Sequence, residues 1–546
     1  MTTTTGPQVG VPPLQSLGFS KFLNKPWRDY QADVVSLIIN SPKKFIIVEA
    51  PTGFGKSPAA MAASRLLPSV KTGRLDKHGD SIEAWQASTL TATKQLMAQY
   101  ITDFPEAKEV KGRQNFPCTI ERVTAGDALC TVLDLAAVDE QYHCVTECPY
   151  YRQKRIAAAS PLVIHNYAYY LASSNYTHSF VDQKLLVLDE THLLDDMLMG
   201  FISSSARRTT CDRFNVTLPE ADNRWTWRQW QQWASAYLDD VAEQLSAMSR
   251  YIETDVVARR NYKAGEALKK TMLFLSLAEA PWVAVKAADG FDFMPVWIGQ
   301  YADKALYSHA EKVVCFSATI LDPNTFCTVA GIPPDQADFM SVPSTFPVGS
   351  RPIYYAPAMD VKGGQHDDGY FQPLLDATYQ TIREHEGDKG LIHCVSYDIA
   401  KQVVQHAPPD IKGRLVTHQA SDRLAQYEQF RQRTDDAVLV SPSMKEGISL
   451  EDNQCRFIVV CKVPFPYLGS PQVKARMDSP AGRQWYAWKT MCDLIQMTGR
   501  GMRSETDHCA VYILDGNFRR VFLQMRQHVP SYWKDDLIDV YGALNS

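Results

Sequence analysis

The sequence contains no apolar run long enough to cross a membrane. Its longest, such as Phe45 to Val48 and Leu185 to Leu188, fall far short of the ~18 residues a span needs. It also lacks an excess of positive charge: Lys and Arg total 56 against 61 for Asp and Glu, a net charge of −5. That excludes a wholly basic protein, leaves room for a local basic groove, and argues neither for nor against nucleic acid. No internal repeat of fixed period is present, which still leaves room for two similar lobes. The opening MTTTTGPQVGVPP has no basic segment followed by an apolar one, so residues 1–18 read as a disordered leader rather than a secretory signal. A secreted disulfide scaffold would be shorter and would carry such a signal. The twelve cysteines, four of them between Cys118 and Cys148, point instead to a cytoplasmic chain with a clustered-thiol metal site.

Short apolar runs, each ending in a polar or glycine-rich turn, recur along the chain: KFIIVEAPTG, KLLVLDETH, KVVCFSAT, KGLIHCVSY, DAVLVSPS and RFIVVCKVPF. Helical stretches separate them, as at Pro58 to Leu67, Ala400 to His406 and Leu424 to Arg433. Buried runs alternating with helices predict parallel sheets of an α/β fold, with the chemistry at the carboxyl ends of the strands. Two stretches break the pattern: 105–160, with the four cysteines and few strand signals, and 200–300, which reads helical. They are expected as insertions into a first lobe assembled from 19–104, 161–199 and 301–350. A second lobe is expected over 351–546. In the helical insertion Trp227, Trp230 and Trp233 recur every three residues and read as core rather than as a base-stacking platform.

EAPTGFGKS, Glu49 to Ser57, follows a strand and opens a helix. Gly53 and Gly55 let the loop Pro51, Thr52, Gly53, Phe54, Gly55 curl so that its N–H groups face a phosphate. Lys56 would then reach the β- and γ-phosphates and the Ser57 hydroxyl would ligate Mg²⁺. DETH, Asp189 to His192, also ends a strand. Adjacent carboxylates there can divide two tasks, Asp189 holding Mg²⁺ through water and Glu190 orienting or deprotonating the attacking water. QMTGRGMR supplies Gln496, Arg500 and Arg503 around Gly499. A guanidinium aimed at a γ-phosphate stabilises the charge that spreads over its oxygens during transfer.

Cys118, Cys130, Cys144 and Cys148 are separated by 11, 13 and 3 residues. Four thiolates can hold a [4Fe–4S] cube, whereas structural Zn²⁺ wants two tight pairs and only Cys144 with Cys148 makes one; spacing alone leaves the two about even. Lys111, Arg113, Arg152, Lys154 and Arg155 flank this segment, with Asp127, Asp134, Asp139 and Glu140 in its middle. Folding around a metal would bring the basic ends together as a phosphate-contacting rim, the competing reading being ordinary solvated charge.

With these motifs in hand, the chain resembles the superfamily 2 helicases, and within them the XPD/DinG group that carries an iron–sulfur cluster. The resemblance runs from Trp27 to Asp515. WRDYQ is similar to the adenine-reading element, which implies Gln31 as base contact and Arg28 as its companion. TLTATKQL (Thr89 to Leu96) resembles the strand end that touches the nucleic-acid backbone, and SAT (Ser317 to Thr319) the element linking hydrolysis to lobe movement. KGRQNFPC and CPYY resemble the segments around the first and last cluster cysteines, which favours iron–sulfur over zinc. HNYAYYL, from His165, resembles the return to the first lobe and makes Tyr167 a candidate for strand contact. MKEGISL, Met444 to Leu450, resembles the second lobe's glycine motif and implies Gly447 in nucleotide binding, although Ser449 stands where the group has Asp. DETH departs from the more usual DEAH box at Thr191, outside the metal and base positions.

The resemblance implies two RecA-like parallel-sheet lobes with an iron–sulfur insertion and a helical arch insertion in the first. It implies a monomeric helicase that uses Mg-ATP and moves 5′ to 3′ on single-stranded or forked DNA, with RNA–DNA hybrid a further substrate class. Two other readings stay open: a nucleic-acid-stimulated ATPase that remodels protein–DNA complexes or R-loops without processive unwinding, and a nucleic-acid-binding module that uses ATP poorly.

Overall fold

The computed structural model describes residues 10–75, 78–133, 143–220, 225–278, 282–364, 366–367, 369–443, 450, 452–501 and 507–544. Arg503, Gly447 and the side chain of Cys144 lie outside the described residues. Two seven-stranded sheets, parallel at every described pairing, carry the two RecA-like lobes. The first runs Ala337–Ser341, Phe45–Glu49, Val313–Ser317, Leu185–Leu188, Ala87–Thr91, Leu162–Asn166, Lys108–Val110. The second runs Leu415–Thr417, Val438–Ser441, Gly390–His393, Phe457–Val460, Ala510–Asp515, Ile353–Met359, Leu537–Asp539.

The central strands are buried along their whole length, which is why they read as continuous apolar runs rather than alternating ones. Register then aligns their ends. Glu49 pairs with Ser317 on one side and Ser341 on the other, and Cys315 with Leu188, so the motif-bearing turns leave the sheet along one edge. Glu49 itself is buried, and burial raises its carboxyl pKa. It is retained because Oε1 accepts the Ile320 and Leu321 N–H groups at 2.9 and 2.7 Å while the Ser341 hydroxyl donates to Oε2 at 3.0 Å.

The region after Ile202 is not wholly helical. Trp227–Met248 and Val256–Leu277 pack together, but on a three-stranded antiparallel sheet of Ser204–Arg207, Gly290–Pro295 and Trp282–Ala287. Gly290, at φ +114°, turns the hairpin where a Cβ would meet the Ala206 carbonyl at 2.1 Å. Trp230 and Trp233 form the core of this unit with Phe291 and Phe293, and Trp227 is partly buried beside them. The cysteine segment is closed at its ends by Gln153, whose amide donates to the Lys111 carbonyl at 2.7 Å and accepts its N–H at 3.2 Å. Its middle docks on the helical unit: buried Arg259 makes two bonds to the Glu121 carboxylate at 2.8 and 2.9 Å, and Arg260 pairs with Asp127 at 2.8 Å.

Two boundaries differ from expectation. Lys108–Val110, inside 105–160, is an edge strand of the first sheet, too short to stand out as a run. Residues 10–18, expected as part of a disordered leader, are packed on the first lobe: Leu14 and Leu17 are buried and the Trp27 indole donates to the Pro12 carbonyl at 3.0 Å. Among the described residues, no helix is long and apolar enough to cross a membrane.

The lobes meet along the helix Pro480–Thr498, whose Trp488 indole donates to the Ile320 carbonyl at 2.8 Å and whose Cys492 thiol donates to the Thr319 carbonyl at 3.5 Å. Just before it, Arg476 is almost wholly buried. Its guanidinium makes bonds of 2.6 and 2.9 Å to Asp195, donates to the Val296 carbonyl at 2.6 Å, and lies within 4.5 Å of the ring centroids of both Trp297 and Trp485.

Candidate functional site

At the end of strand Phe45–Glu49 the chain turns through Gly53 (φ +86°) and Gly55 (φ +81°) into the helix Lys56–Leu66. Both conformations favour glycine, and at Gly53 a Cβ would also lie 2.2 Å from the Phe346 ring. The ammonium of Lys56 reaches back to the Ala50 carbonyl at 3.5 Å, a long bond that a better acceptor would displace. Arg28 donates to the Gly53 carbonyl at 2.5 Å, and Gln31 donates to the carbonyls of Phe54 and Gly55 at 2.8 and 3.1 Å.

Two strands away, Asp189 leaves Leu185–Leu188 fully buried. The Tyr100 hydroxyl donates to one carboxylate oxygen at 2.9 Å and the Glu190 N–H to the other at 3.0 Å. Burial, with Glu190 beside it, raises its pKa to about 6, while Lys56 opposes the shift. The Asp189 carboxylate and the Ser57 hydroxyl line one cavity and offer hard oxygen donors of the kind Mg²⁺ takes. Glu190 stands at φ +54° and faces the same space as Asp189.

From Glu190 a polar chain runs to the second lobe. His192 Nδ1 lies 3.3 Å from the Glu190 carboxylate and 3.0 Å from the Ser317 hydroxyl. The Ser317 hydroxyl accepts the Thr319 N–H at 3.0 Å, and Gln496 donates to the Thr319 hydroxyl at 3.0 Å. Burial lowers the His192 pKa to about 4, so the imidazole is neutral at pH 7 and passes position rather than charge.

One cavity of about 380 Å³ gathers these groups. Arg28, Pro51, Thr52, Gly53, Gly55, Lys56, Ser57, Asp189 and Glu190 face it from the first lobe, and Gln496, Gly499 and Arg500 from the second. Phe54 is buried behind the loop and contributes its carbonyl to Gln31. Gln31 faces a neighbouring cavity of about 280 Å³. Tyr100 and Tyr532 also belong to this neighbourhood and are missed by motif reading, as is the role of His192, the last residue of DETH; Tyr532 donates to the Ala318 carbonyl at 3.3 Å. Tyr167 is 1% exposed and donates to the Asp189 backbone carbonyl at 3.0 Å, so it braces the carboxylate turn and is not accessible to a strand.

In the cysteine segment, Cys118 and Cys130 are partly buried, Cys148 is buried, and none is in a disulfide. Arg113 donates to the Cys130 sulfur at 3.5 Å and to the Tyr151 hydroxyl at 2.8 Å, and stacks on Tyr150 at 4.9 Å. Among the described residues, no three His, Cys, Asp or Glu side chains are arranged to hold a metal.

Residues 379–536 match a family model described as Helicase C-terminal domain, and residues 95–210 match the DEAD_2 model. Among solved structures, an XPD helicase superposes with a TM-score of 0.65 at 15% identity, covering 94% of this chain and 98% of that one. An apo XPD gives 0.60 at 13% identity, covering 94% and 100%. Xpd4 of S. tokodaii gives 0.55 at 13% identity, covering 93% and 99%. Identities this low speak to the fold. No curated protein matches the chain by sequence.

Proposed function

We propose that this chain, which matches DEAD_2 and Helicase C-terminal domain models and shares the XPD fold, is an XPD/DinG-like superfamily 2 helicase: a monomeric, cytoplasmic motor that moves 5′ to 3′ on single-stranded DNA and opens forked duplexes. The observation that carries this reading is the single cavity shared by Lys56, Ser57, Asp189 and Glu190 of one lobe and Gln496 and Arg500 of the other. A nucleotide held there touches both lobes, so its hydrolysis changes their separation.

The loop N–H groups and Lys56 bind the β- and γ-phosphates, the lysine exchanging the Ala50 carbonyl for phosphate oxygen. Ser57 and Asp189 would hold Mg²⁺, which when bound neutralises charge on the phosphate oxygens. Glu190 orients the attacking water and takes its proton. Arg500 crosses from the second lobe to the γ-phosphate, with Arg503, by its spacing, as a second candidate. Gln496, through Thr319, Ser317 and His192, ties the position of the second lobe to Glu190. The implied Gly447 completes the nucleotide contacts of the second lobe.

We assign Cys118, Cys130, Cys144 and Cys148 as the ligands of a [4Fe–4S] cluster that stiffens a strand-separating wedge. Support comes from the flanking motifs and the Arg113 cation at Cys130. Anaerobically purified protein should show a broad absorption shoulder near ~400 nm and about four irons per chain. Zinc in place of iron would overturn the assignment while leaving the motor intact.

Substrate and direction are tested together. With ATP, the protein should unwind a fork carrying a 5′ single-stranded DNA tail and fail on one carrying only a 3′ tail. Unwinding from the 3′ tail would reverse the proposed polarity. Displacement of bound protein without duplex opening would favour the remodelling ATPase instead.

A further inference from the structure

Residues 342–352 join Ala337–Ser341, an edge strand of the first sheet, to Ile353–Met359 in the second, and several of them wall the nucleotide cavity. Phe346 lies against Gly53 of the phosphate loop, and Arg351 faces the same cavity from the far end of the linker. The Arg351 side chain is 12% exposed and poorly partnered. Among the described residues its Nε is buried without a hydrogen-bond partner, and its one ion pair, with Asp536, stands at 3.8 Å, beyond hydrogen-bond reach. Asp536 turns its short bond elsewhere: one carboxylate oxygen accepts the Gly349 N–H at 2.7 Å. The guanidinium carbon lies 5.5 Å from the Tyr532 ring centroid, which steadies the group without using its N–H donors.

Burying N–H donors without acceptors is unfavourable, and charged donors more so, so a group of this kind calls for an explanation. The chain supplies its own contrast. Arg476 spends its guanidinium on Asp195 and the Val296 carbonyl in bonds of 2.6, 2.9 and 2.6 Å, as a structural arginine does. Arg351 is left underused beside a cavity whose other walls, Lys56, Ser57 and the glycine loop, suit phosphate. A planar fork of donors matches two phosphate oxygens at once. We infer, given the nucleotide site proposed above, that Arg351 contacts the phosphate chain of the bound nucleotide and gives up its long pairing with Asp536 to do so. The linker between the lobes then registers the nucleotide directly, in addition to the motifs on either side of it.

Binding of fluorescently labelled ADP to the full chain with Mg²⁺, and its displacement by inorganic tripolyphosphate, tests this. Arg351→Ala should weaken labelled ADP and tripolyphosphate alike, each by about tenfold or more. Unchanged affinities would overturn the inference. So would a loss confined to ADP, with tripolyphosphate bound as in the parent, since that places the residue at the base or ribose. Arg351→Met keeps the stem beside Tyr532 and carries the test if the alanine variant does not fold. Asp536→Asn separates ligand contact from bracing. It keeps an acceptor for the Gly349 N–H and frees Arg351, so both ligands should bind as tightly as in the parent or more so. Weakening to match Arg351→Ala would reduce Arg351 to a structural partner of Asp536 and overturn the inference. Lys56→Ala, run alongside, keeps the two levels apart. Full ATP turnover there would sink the nucleotide site and this inference with it, whereas lost turnover there beside parent-like binding in the Arg351 variants would overturn the inference alone.

Discussion

Lys56→Ala is expected to lower strand-stimulated ATP turnover by about a thousandfold or more, roughly 4 kcal/mol of transition-state stabilisation. The fold should survive. Among the described residues the side chain makes one hydrogen bond, 3.5 Å long, to the Ala50 carbonyl, and the helix it opens starts from Gly55, whose left-handed conformation the substitution does not touch. Alanine is also the best helix former for that first turn. The change therefore removes a cation from beside the phosphates and little else. Steady-state turnover and a melting curve on the same preparation check both halves; turnover like the parent's would remove Lys56 from the chemistry.

Arg500→Ala should cost about as much, on the order of 10³-fold, but in a different parameter. Arg500 follows the end of the helix Pro480–Thr498 and faces the cavity from the lobe opposite Lys56. Its contribution grows as charge spreads over the transferring phosphoryl group, so kcat should fall while KM stays within a few fold. Arg500→Lys should rescue poorly, because an ammonium lacks the planar fork that addresses two oxygens at once. A raised KM with kcat preserved would place the residue in ground-state binding instead.

The parallel sheets are legible in the sequence because strands buried on both faces leave contiguous apolar runs, as KLLVLDETH and KVVCFSAT do. The glycine loop is legible for a similar reason: strand, Gly53, Gly55 and helix are neighbours in the chain. Contacts between distant residues leave no such trace. Tyr100 lies in an ordinary helical stretch, and only the packing of Lys94–Asp103 brings its hydroxyl to Asp189. His192 is visible as the last letter of DETH, but its junction with Ser317 and the Glu190 carboxylate depends on two strands being adjacent. Tyr167 shows the opposite error. An aromatic beside a recognised segment suggests an accessible ring, and the helix Tyr167–Tyr176 turns it inward. The hairpin Trp282–Ala287 and Gly290–Pro295 was hidden within a region whose long helices dominate the pattern. Roles that rest on Arg503, Gly447 and Cys144 remain readings of the sequence.

Arg476 has a mechanical consequence. A guanidinium bonded twice to Asp195 and set in the corner between the perpendicular rings of Trp297 and Trp485 is costly to pull apart, since either charge left alone in that setting loses several kcal/mol. Asp195 sits only a turn beyond Glu190, so this rivet fastens the two halves close to the chemistry. The halves would then swing about it like a pair of shears, and a small change at the phosphates becomes a longer stroke at the far rim.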